Sequence, residues 1–415
     1  MSQKTNELFD IQDKIYLYDL TNTYFEGEKR NSLLAQYGRS KEKRTDAKLI
    51  VLGLVVNVEG FIKYSNIFEG SMSDCKTLSD MIDKLHKSVY KNVETKPLVV
   101  IDAGIGTEGN LQMIQSKGFD YLCVSRSKLQ EYSLKKDREI IVYDKKENQI
   151  SLCQVEQTEQ EYILKIKSNC KELKERSMYQ SFTKNFEEGI EKIRLSIGKK
   201  HGVKKESKVH ERIGRLKEKY PSVSKFYDIK LTVDSTQQVT ELTWSLNEEK
   251  WRIKENGLGV YFLRTSVKNQ EETWIWDAYN CIREIENTFR TLKTELDLRP
   301  IYHKTDQATM AHLHLGLLAY WIVNTIRYQL KIKGINYNWN EIVRITNTQK
   351  LVTTTGKNDG ETVEIRKASE PEPKIIAIYQ ALKYQFYSIV KIKSVVPQNG
   401  FQKNKNTEFQ EITDT

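Results

Sequence analysis

The stretch PLVVIDAGIGTEGN (residues 97–110) decides the fold, because it predicts a buried strand that ends in an acidic loop. Its apolar run, Leu98–Ile101, lies between Pro97 and Gly104, and such runs are typical of strands covered on both faces of a parallel or mixed sheet. Asp102 follows the run directly, and open α/β sheets gather their functional sites at the carboxyl ends of strands. The stretch therefore predicts an α/β sheet with a candidate carboxylate at one edge.

The sequence on either side of this stretch predicts further strands and two helices. The strand segments are rich in β-branched and aromatic residues, and Glu59-Gly60 predicts a hairpin turn between two of them. The first helix carries its apolar residues on one side, with Thr77 as its N-cap. The predicted strands cover residues 15–20, 49–56, 61–68 and 121–124, and the predicted helices cover residues 77–90 and 110–115.

The later part of the chain has a different texture. Residues 138–168 predict β-hairpins, and residues 171–220 predict charged helices, for which a solvated coat is favoured over a dedicated DNA-binding arm. A strong helix is predicted at residues 276–296. The helix predicted at residues 311–330 is apolar on most sides, so we expect it to be buried in the core. One more helix is predicted near residues 373–390.

Composition limits the classes of function. The 415 residues include 66 basic and 56 acidic side chains, and the net charge of +10 favours a polyanionic partner without requiring one. Five dispersed cysteines have no metal-ligand spacing, which is typical of reduced thiols. No segment predicts a membrane helix or a secretory signal, so we expect a cytoplasmic protein with no membrane partner. Walker, GxGxxG and nucleophile-elbow motifs are absent, so ATP use and hydrolase chemistry of those types are not supported.

The helix at residues 276–296 has one polar face. At about 100° per residue, its polar side chains fall within an arc of roughly 80°, beside an apolar face. One interpretation is a solvent-exposed ladder of ion pairs. The other is a site in which a single acid among cations holds a metal beside DNA phosphates. The polar face consists of Tyr279, Arg283, Glu286, Arg290 and Lys293, and the apolar face of Ile282, Ile285, Phe289 and Leu292.

Two further acids lie at strand ends. Asp19 shares a strand face with Ile15 and Leu17, where alternation predicts an apolar side chain. It is either a strand-end acid that turns into a loop or a functional carboxylate. Asp102 has the same two interpretations, and its place after a buried strand favours the functional one.

Together these residues resemble the DDE-type transposases of bacterial insertion sequences, in the subgroup with a β-rich insertion before the last acid. The resemblance extends over roughly residues 15–335, and its last stretch is the most specific. That stretch is similar to the Y-x-x-R-x-x-x-E-x-x-x-x-x-x-K signature and its R-P-x-x-H extension. The four stretches that carry it are YDLTNTYFEG (18–27), GRSKEKRTDAKLIVLGLVV (38–56), VIDAGIGTEGN (100–110) and YNCIREIENTFRTLKTELDLRPIYH (279–303).

The resemblance implies a ribonuclease H-like mixed sheet with flanking helices, interrupted by a β-rich and charged helical insertion. Asp19, Asp102 and Glu286 would be the catalytic and metal-binding residues for Mg²⁺, with two ions expected and Mn²⁺ as a substitute. The implied function is DNA cleavage and strand transfer on double-stranded DNA, with self-association in the DNA complex and a nucleoid-associated location. The residues expected to contact DNA are Tyr279, Arg283, Arg290, Lys293, Lys41 and Arg44.

The same resemblance implies a division of the chain. We expect residues 1–126 and 271–335 to form two parts of one catalytic core and residues 127–270 to form the insertion. Residues 336–396 are expected to form a C-terminal helical region, and residues 397–415 a disordered tail.

Two departures from the family pattern leave alternatives open. The arginine position of the signature holds Ile282, and we expect Arg283, one residue later, to take over its role. Family members carry a long DNA-binding region before the first acid, yet Asp19 lies near the start of this chain. We therefore expect either a fragment or a loss of end recognition, with DNA binding driven chiefly by charge. The alternative functions are a ribonuclease H-like nuclease without strand transfer and an inactive transposon remnant that only binds nucleic acid.

Overall fold

The computed structural model describes most of the chain between residues 14 and 396. The helix predicted near 373–390 ends earlier, at Leu382, and its predicted residues 386–390 lie outside the described residues. Lys41 and the tail from 397 also lie outside them, so those two predictions stay untested. The described residues are 6, 9, 14–40, 44–72, 74–89, 96–126, 129, 132–144, 146–155, 161–268, 270–358, 361–385 and 392–396.

The first part of the chain forms the strands and helices that its patterning predicts. The Glu59-Gly60 hairpin is confirmed, with Gly60 at a φ of +79° that a side chain would strain. Thr77 is not the N-cap, because its helix begins at Asp74 and the Thr77 hydroxyl is buried against the Tyr18 hydroxyl at 2.7 Å. The elements are β1 (Ile15–Tyr24), β2 (Leu49–Asn57), β3 (Ile62–Glu69), α1 (Asp74–Val89), β4 (Leu98–Ile101), α2 (Glu108–Ser116) and β5 (Asp120–Val124).

These strands form a mixed sheet in the order β3-β2-β1-β4-β5. The pairs β3-β2 and β2-β1 are antiparallel, whereas β4 is parallel to β1 and to β5. The strand Leu98–Ile101 is central and fully buried, as its continuous apolar run predicts. Three antiparallel strands followed by two parallel ones, with helices on the faces, make a ribonuclease H-like fold.

The predicted hairpins of the insertion continue the same sheet. The added strands are β6 (Leu134–Tyr143), β7 (Gln149–Val155), β8 (Tyr162–Ser168) and, later in the chain, β11 (Val260–Thr265). Strand β11 pairs with β5, and the three hairpin strands lie beyond β11. Among the described residues, the sheet therefore has nine strands in the order β3-β2-β1-β4-β5-β11-β8-β7-β6.

The rest of the insertion packs around a hydrophobic core of its own. Phe186, Ile190 and Ile213 are buried there against the inner face of a two-stranded antiparallel sheet. The helices and strands of this unit are α3 (Asn169–Ile197), α4 (Glu206–Lys219), α5 (Pro221–Ser224), β9 (Tyr227–Val233), β10 (Val239–Leu246) and α6 (Glu248–Asn256).

The helix predicted over residues 276–296 is not continuous. Helix α7 (Glu272–Asn280) and helix α8 (Ile282–Arg290) meet at Cys281, where the Glu284 amide donates to the carbonyl only three residues back. A π-turn (Thr291–Glu295) follows α8, with the Leu296 amide bonded to the carbonyl five residues back. Both irregularities change the angle per residue from that of a uniform α-helix.

Helix α9 (Asp306–Lys331) is less buried than its composition predicts. Its inner face carries Leu313 and Tyr320 into the core, whereas Leu315 and Ile322 are 64% and 65% exposed. The expectation of a helix buried in the core is therefore wrong for one face. No described helix has both the length and the apolar character needed to cross a membrane.

The region of residues 336–396 is not wholly helical. Two helices, α10 (Trp339–Thr346) and α11 (Pro373–Leu382), pack against the end of α9 around Leu330 and Ile375. Between and beyond them lies a three-stranded antiparallel sheet of β12 (Leu351–Asn358), β13 (Glu361–Ala368) and β14 (Ile392–Val396). The region boundaries proposed from the sequence remain predictions.

Candidate active site

Sheet register places the first two acids side by side. Tyr18 of β1 pairs with Ile101 of the parallel strand β4, so Asp19 lies beside Asp102, the first residue after β4. The prediction that Asp19 ends its strand is wrong, because β1 continues to Tyr24 through its pairing with β2. Adjacent strands lie about 4.8 Å apart, and residues in register point to the same face. Asp19 is half-buried and Asp102 is exposed. The two carboxylates therefore lie beside each other on one face of the sheet, at the point where β4 ends.

The helix that carries Glu286 covers this same face. Leu17 and Val100, which alternate with Asp19 and Asp102, belong to the core cluster that includes Ile285 and Phe289 of α8. The opposite face, with Tyr18 and Ile101, packs against α1 and α2 in another cluster. Glu286 is exposed on the polar side of α8, as the spacing of about 100° per residue predicts.

Two sets of contacts toward the C-terminal end of helix α8 tie it to the rest of the core. The Tyr320 hydroxyl of α9 donates to the Gly60 carbonyl at 2.9 Å and lies 2.8 Å from the hydroxyl of Thr288. After the π-turn, Ile301 pairs with the end of β1 through bonds to Tyr24 and Glu26 at 2.9 and 3.0 Å. The chain thus anchors the Glu286 segment to the strand that bears Asp19.

The Tyr279 hydroxyl is close enough to Asp102 and to Glu286 for both negative charges to affect its pKa. Burial is the largest cause that raises the pKa of its hydroxyl, and the negative charges of Asp102 and Glu286 raise this pKa further. The hydroxyl therefore stays protonated through neutral pH and can donate a hydrogen bond. The side chain, on α7, is partly buried against the core cluster that also contains Ile285 of α8.

The loop after Asp102 is fixed by two side chains from other elements. The Arg126 guanidinium donates from Nε to the Ala103 carbonyl at 2.8 Å and from Nη2 to the Gly104 carbonyl. Asn110 of α2 donates from Nδ2 to the Ile105 carbonyl at 2.8 Å. The Asp102 carbonyl itself accepts from two backbone amides of the loop. Three successive carbonyls after the candidate acid are therefore held by Arg126 and Asn110.

A charged cluster secures the helix that follows this loop. Arg264 of β11 is 17% exposed and pairs with Glu108, at the start of α2, and with Glu161 at 2.6 Å. The Tyr121 hydroxyl donates to the same Glu161 carboxylate. A partly buried arginine that bridges two carboxylates fixes direction as well as distance. The cluster ties the insertion edge of the sheet to the Asp102 loop.

Arg283 lies toward the edge of this arrangement. It is exposed on α8, and its charge contributes to the lowered pKa of the Asp144 carboxyl, at the β6-β7 turn. Burial raises the pKa of the Tyr261 hydroxyl, and the charge of Arg283 partly opposes that rise. For Asp144 it is the smallest of several causes, after hydrogen bonds from Asn148 and from backbone amides. The surroundings of Arg283 thus include the hairpin β6-β7 and strand β11, and its role in place of Ile282 stays a prediction.

The other predicted DNA contacts occupy different positions. Arg290 is exposed on α8 and donates to Asn287 at 2.5 Å, and Lys293 is half-buried in the π-turn. Arg44 donates to both oxygens of Asp46 at 2.8 Å, with Glu26 at 3.6 Å. A phosphate would have to compete with these carboxylates for Arg44.

The donor set fits a hard divalent cation. Carboxylate oxygens are the ligands that Mg²⁺ takes in proteins, and two partly open acids on adjacent strands leave room for retained water. Across the residues that the structure describes, no three His, Cys, Asp or Glu side chains are gathered closely enough to hold a metal. Asp19, Asp102 and Glu286 share a face without forming such a cluster.

Sequence reasoning missed Arg126 and Arg264. Arg126 comes two residues after β5, at the sheet edge where the acids lie, and this position is a usable signal for a side chain near the site. Arg264 gives no comparable signal, because only the pairing of β11 with β5 brings it close to Glu108.

Comparison with known proteins adds a family to this geometry. A family model described as "Transposase DDE domain" matches residues 12–322. No curated protein matches the chain. Among solved structures, the chain is similar to a piggyBac transposase in a cryo-EM synaptic complex with hairpin DNA, at 7% identity and a TM-score of 0.41. That match covers 80% of this chain and 51% of the other, so the chain spans about half the length of that protein.

Proposed function

The chain belongs to the transposase DDE domain family, and on that premise we propose that it is the transposase of a bacterial insertion sequence. It would cut and rejoin double-stranded DNA with divalent ions, Mg²⁺ or Mn²⁺, held by Asp19, Asp102 and Glu286. A self-associated complex on DNA and a nucleoid-associated cytoplasmic location belong to the same proposal.

One observation carries the proposal. The parallel pairing of Tyr18 with Ile101 supports placing Asp19, within β1, beside Asp102 at the end of β4, and the core under α8 is continuous with their face of the sheet. The effect of Asp102 and Glu286 on the pKa of Tyr279 supports adding the third acid to the same neighbourhood. A random distribution of surface acids would not combine these features.

The residues of the chain would have distinct tasks. When bound, two divalent ions would supply activation of the attacking oxygen and stabilisation of the leaving oxygen. Asp19 and Asp102 would hold this centre on the rigid sheet, and Glu286 would close it from the helix. The protonated Tyr279 hydroxyl would donate to a phosphate oxygen, while Arg290 and Lys293 would fix the DNA backbone without reading its sequence.

Product analysis tests the proposal. The purified chain would be incubated with Mg²⁺, a linear duplex that carries the two ends flanking its own gene, and a supercoiled target plasmid. We expect strand breaks at the ends and products in which those ends are joined to the plasmid. The Asp19→Asn variant is the matched control and should give neither product.

Each alternative has its own product pattern. Cleavage without joined products would support a nuclease that lacks strand transfer and would contradict the proposal. DNA binding without cleavage, in Mg²⁺ and in Mn²⁺, would support an inactive remnant. Equal cleavage by wild type and Asp19→Asn would contradict the assignment of the site.

A further inference from the structure

The positive charge of the chain is concentrated in one helical hairpin. Residues 169–219, which span α3, α4 and the turn between them, contain 15 Lys and Arg against 8 Glu. The remaining 364 residues contain 51 basic and 48 acidic side chains. An eighth of the chain therefore carries +7 of the net +10. A merely solvated coat needs charge but no such imbalance, because mixed signs are equally well hydrated.

Helices α3 and α4 form a groove where this charge is exposed. A cavity of about 320 Å³ lies between them, with Ile193 and Leu216 as its apolar floor. The helices approach closely here, since a side-chain carbon added at Gly189 would lie 2.5 Å from a Leu216 methyl group. The walls of this basic groove are Lys192, Arg212, Arg215 and Lys219.

Most of the wall cations are available to an external anion. Arg215 is paired with Glu211 of the same helix, and Arg212 donates to the Ser196 hydroxyl at 3.1 Å. Within the described residues, Lys192, Arg212 and Lys219 form no salt bridge, and all three are exposed. Glu191, next to Lys192 on α3, is paired with Arg194 of the same helix. The groove thus has a net positive charge.

The spacing of the cations suits a nucleic-acid backbone. Arg212 and Lys219 are seven residues apart on α4, about 10 Å along the axis at 1.5 Å per residue. Measured along a duplex axis, that length corresponds to about three base-pair steps at 3.4 Å each. Lys192 faces them from α3, across the apolar floor. A row of cations of this length matches consecutive phosphates better than it matches one small anion.

We propose that the basic groove between α3 and α4 is a contact surface for the phosphate backbone of duplex DNA, separate from the candidate active site. DNA as the partner rests on the proposed function, whereas the surface itself is argued from charge and shape. Such contacts add affinity and orientation without sequence preference, and each one releases counterions.

Salt dependence of DNA binding tests the groove without any cleavage step. Binding of the full chain to a fluorescent 40-base-pair duplex would be measured by anisotropy in EDTA over a range of KCl concentrations. The groove variant is Lys192→Gln/Arg212→Gln/Lys219→Gln. The matched control removes three exposed cations from the same unit outside the groove, as Lys230→Gln/Lys250→Gln/Arg252→Gln.

The expected result is a change in slope for one variant only. Each phosphate contact contributes about 0.9 to the slope of log K against log salt, so three lost contacts should lower its magnitude by roughly 2.7. The control should keep a slope close to that of the wild type. A charge-preserving variant, Lys192→Arg/Arg212→Lys/Lys219→Arg, should also keep it, which separates lost charge from misfolding.

Other outcomes overturn the proposal. Equal slopes for the groove variant and the control would show that only total charge matters. If the groove variant lowered the salt slope equally for an RNA duplex and for the DNA duplex, the groove would be a general polyanion surface. DNA would then be rejected as its dedicated partner. The binding test contains EDTA and therefore does not depend on cleavage. If the chain failed to cleave DNA but its salt slope still depended on the groove, the proposed catalysis would be contradicted and the DNA-contact surface would still be supported.

Discussion

The two halves of the candidate active site are held in different ways. Asp19 and Asp102 are fixed by strand register, on neighbouring parallel strands at the centre of a nine-stranded sheet. Glu286 lies on α8, a helix of nine residues between the irregular turn at Cys281 and the π-turn. The strand half is held by the backbone hydrogen bonds of the sheet and is the rigid half, whereas α8 is held by side-chain packing and by the contacts of Tyr320. We expect Glu286 to tolerate a change of side-chain length better than Asp102 does.

The comparison predicts that the two halves tolerate a change of side-chain length differently. Asp102→Glu should lower Mg²⁺-dependent cleavage as far as Asp102→Asn does, because a rigid strand cannot withdraw to accommodate a longer side chain. The loss should exceed about 100-fold, since removal of partners outside the metal ligands alone costs about 10- to 100-fold. Glu286→Asp should retain measurable cleavage in Mn²⁺. Single-turnover cleavage rates check both, and a larger loss for Glu286→Asp than for Asp102→Glu would contradict the comparison.

The second prediction concerns Arg126, which holds the loop that follows Asp102. Its guanidinium holds the carbonyls of Ala103 and Gly104, so Arg126→Gln should loosen the loop that orients Asp102. We expect the Mg²⁺ concentration for half-maximal cleavage to rise by about 10- to 100-fold, and Mn²⁺ affinity measured by electron paramagnetic resonance to fall in parallel. Arg126→Lys should recover part of the affinity. An unchanged Mn²⁺ affinity with a lowered melting temperature would mean that Arg126 only stabilises the fold.

The third prediction concerns Arg283, which is exposed on the same helix as Glu286. It lies near Asp144 and Tyr261, toward the insertion, so we expect it to contact DNA and to leave the metal site unaffected. Arg283→Gln should reduce the salt slope of DNA binding by about 0.9, one phosphate contact. The Mg²⁺ requirement of cleavage should stay the same. A shifted Mg²⁺ requirement would instead place Arg283 among the residues that position the acids.

The smallest expected effect concerns alkaline pH. Burial raises the pKa of Tyr279 above its unfolded value near 10, so the folded state keeps a proton that the unfolded state loses. Its contribution to stability is complete below pH 10 and is lost as the pH rises toward the folded pKa. Tyr279→Phe should therefore weaken the decline in melting temperature above pH 10. Chemical-shift or absorbance titration of Tyr279 near pH 10 in the folded protein would contradict this reasoning.

The rigid half could be predicted from the sequence and the helical half only partly. An apolar run followed by Asp102 predicts a buried strand with an acid at its end, and the structure has that strand. The wheel predicts the faces of α8 correctly, with Ile285 fully buried. It could not predict the break at Cys281 or the π-turn, because local spacing contains no information on long-range contacts such as those of Tyr320 and Ile301.

The insertion shows the same limit in another form. Its hairpin strands could be predicted from alternation, but not their place in the main sheet, which requires β11 to pair between β5 and β8. The excess of charge in residues 169–219 is visible in the sequence. Its convergence on one groove is not, because the groove depends on the close packing of two helices at Gly189. The local sequence pattern therefore predicts helices and strands, whereas long-range pairing and packing determine which side chains come together.

The central claim is that Asp19, Asp102 and Glu286 face one metal centre. Iron-mediated cleavage of the polypeptide tests this most directly. Fe²⁺ would replace Mg²⁺ in the DNA-bound protein, ascorbate and peroxide would generate hydroxyl radicals at the bound ion, and mass spectrometry would locate the backbone breaks. We expect backbone breaks near all three acids. Excess Mg²⁺ should suppress each break, and Asp102→Asn should abolish all of them together. Breaks near only one acid, or breaks that persist in Asp102→Asn, would contradict a shared site.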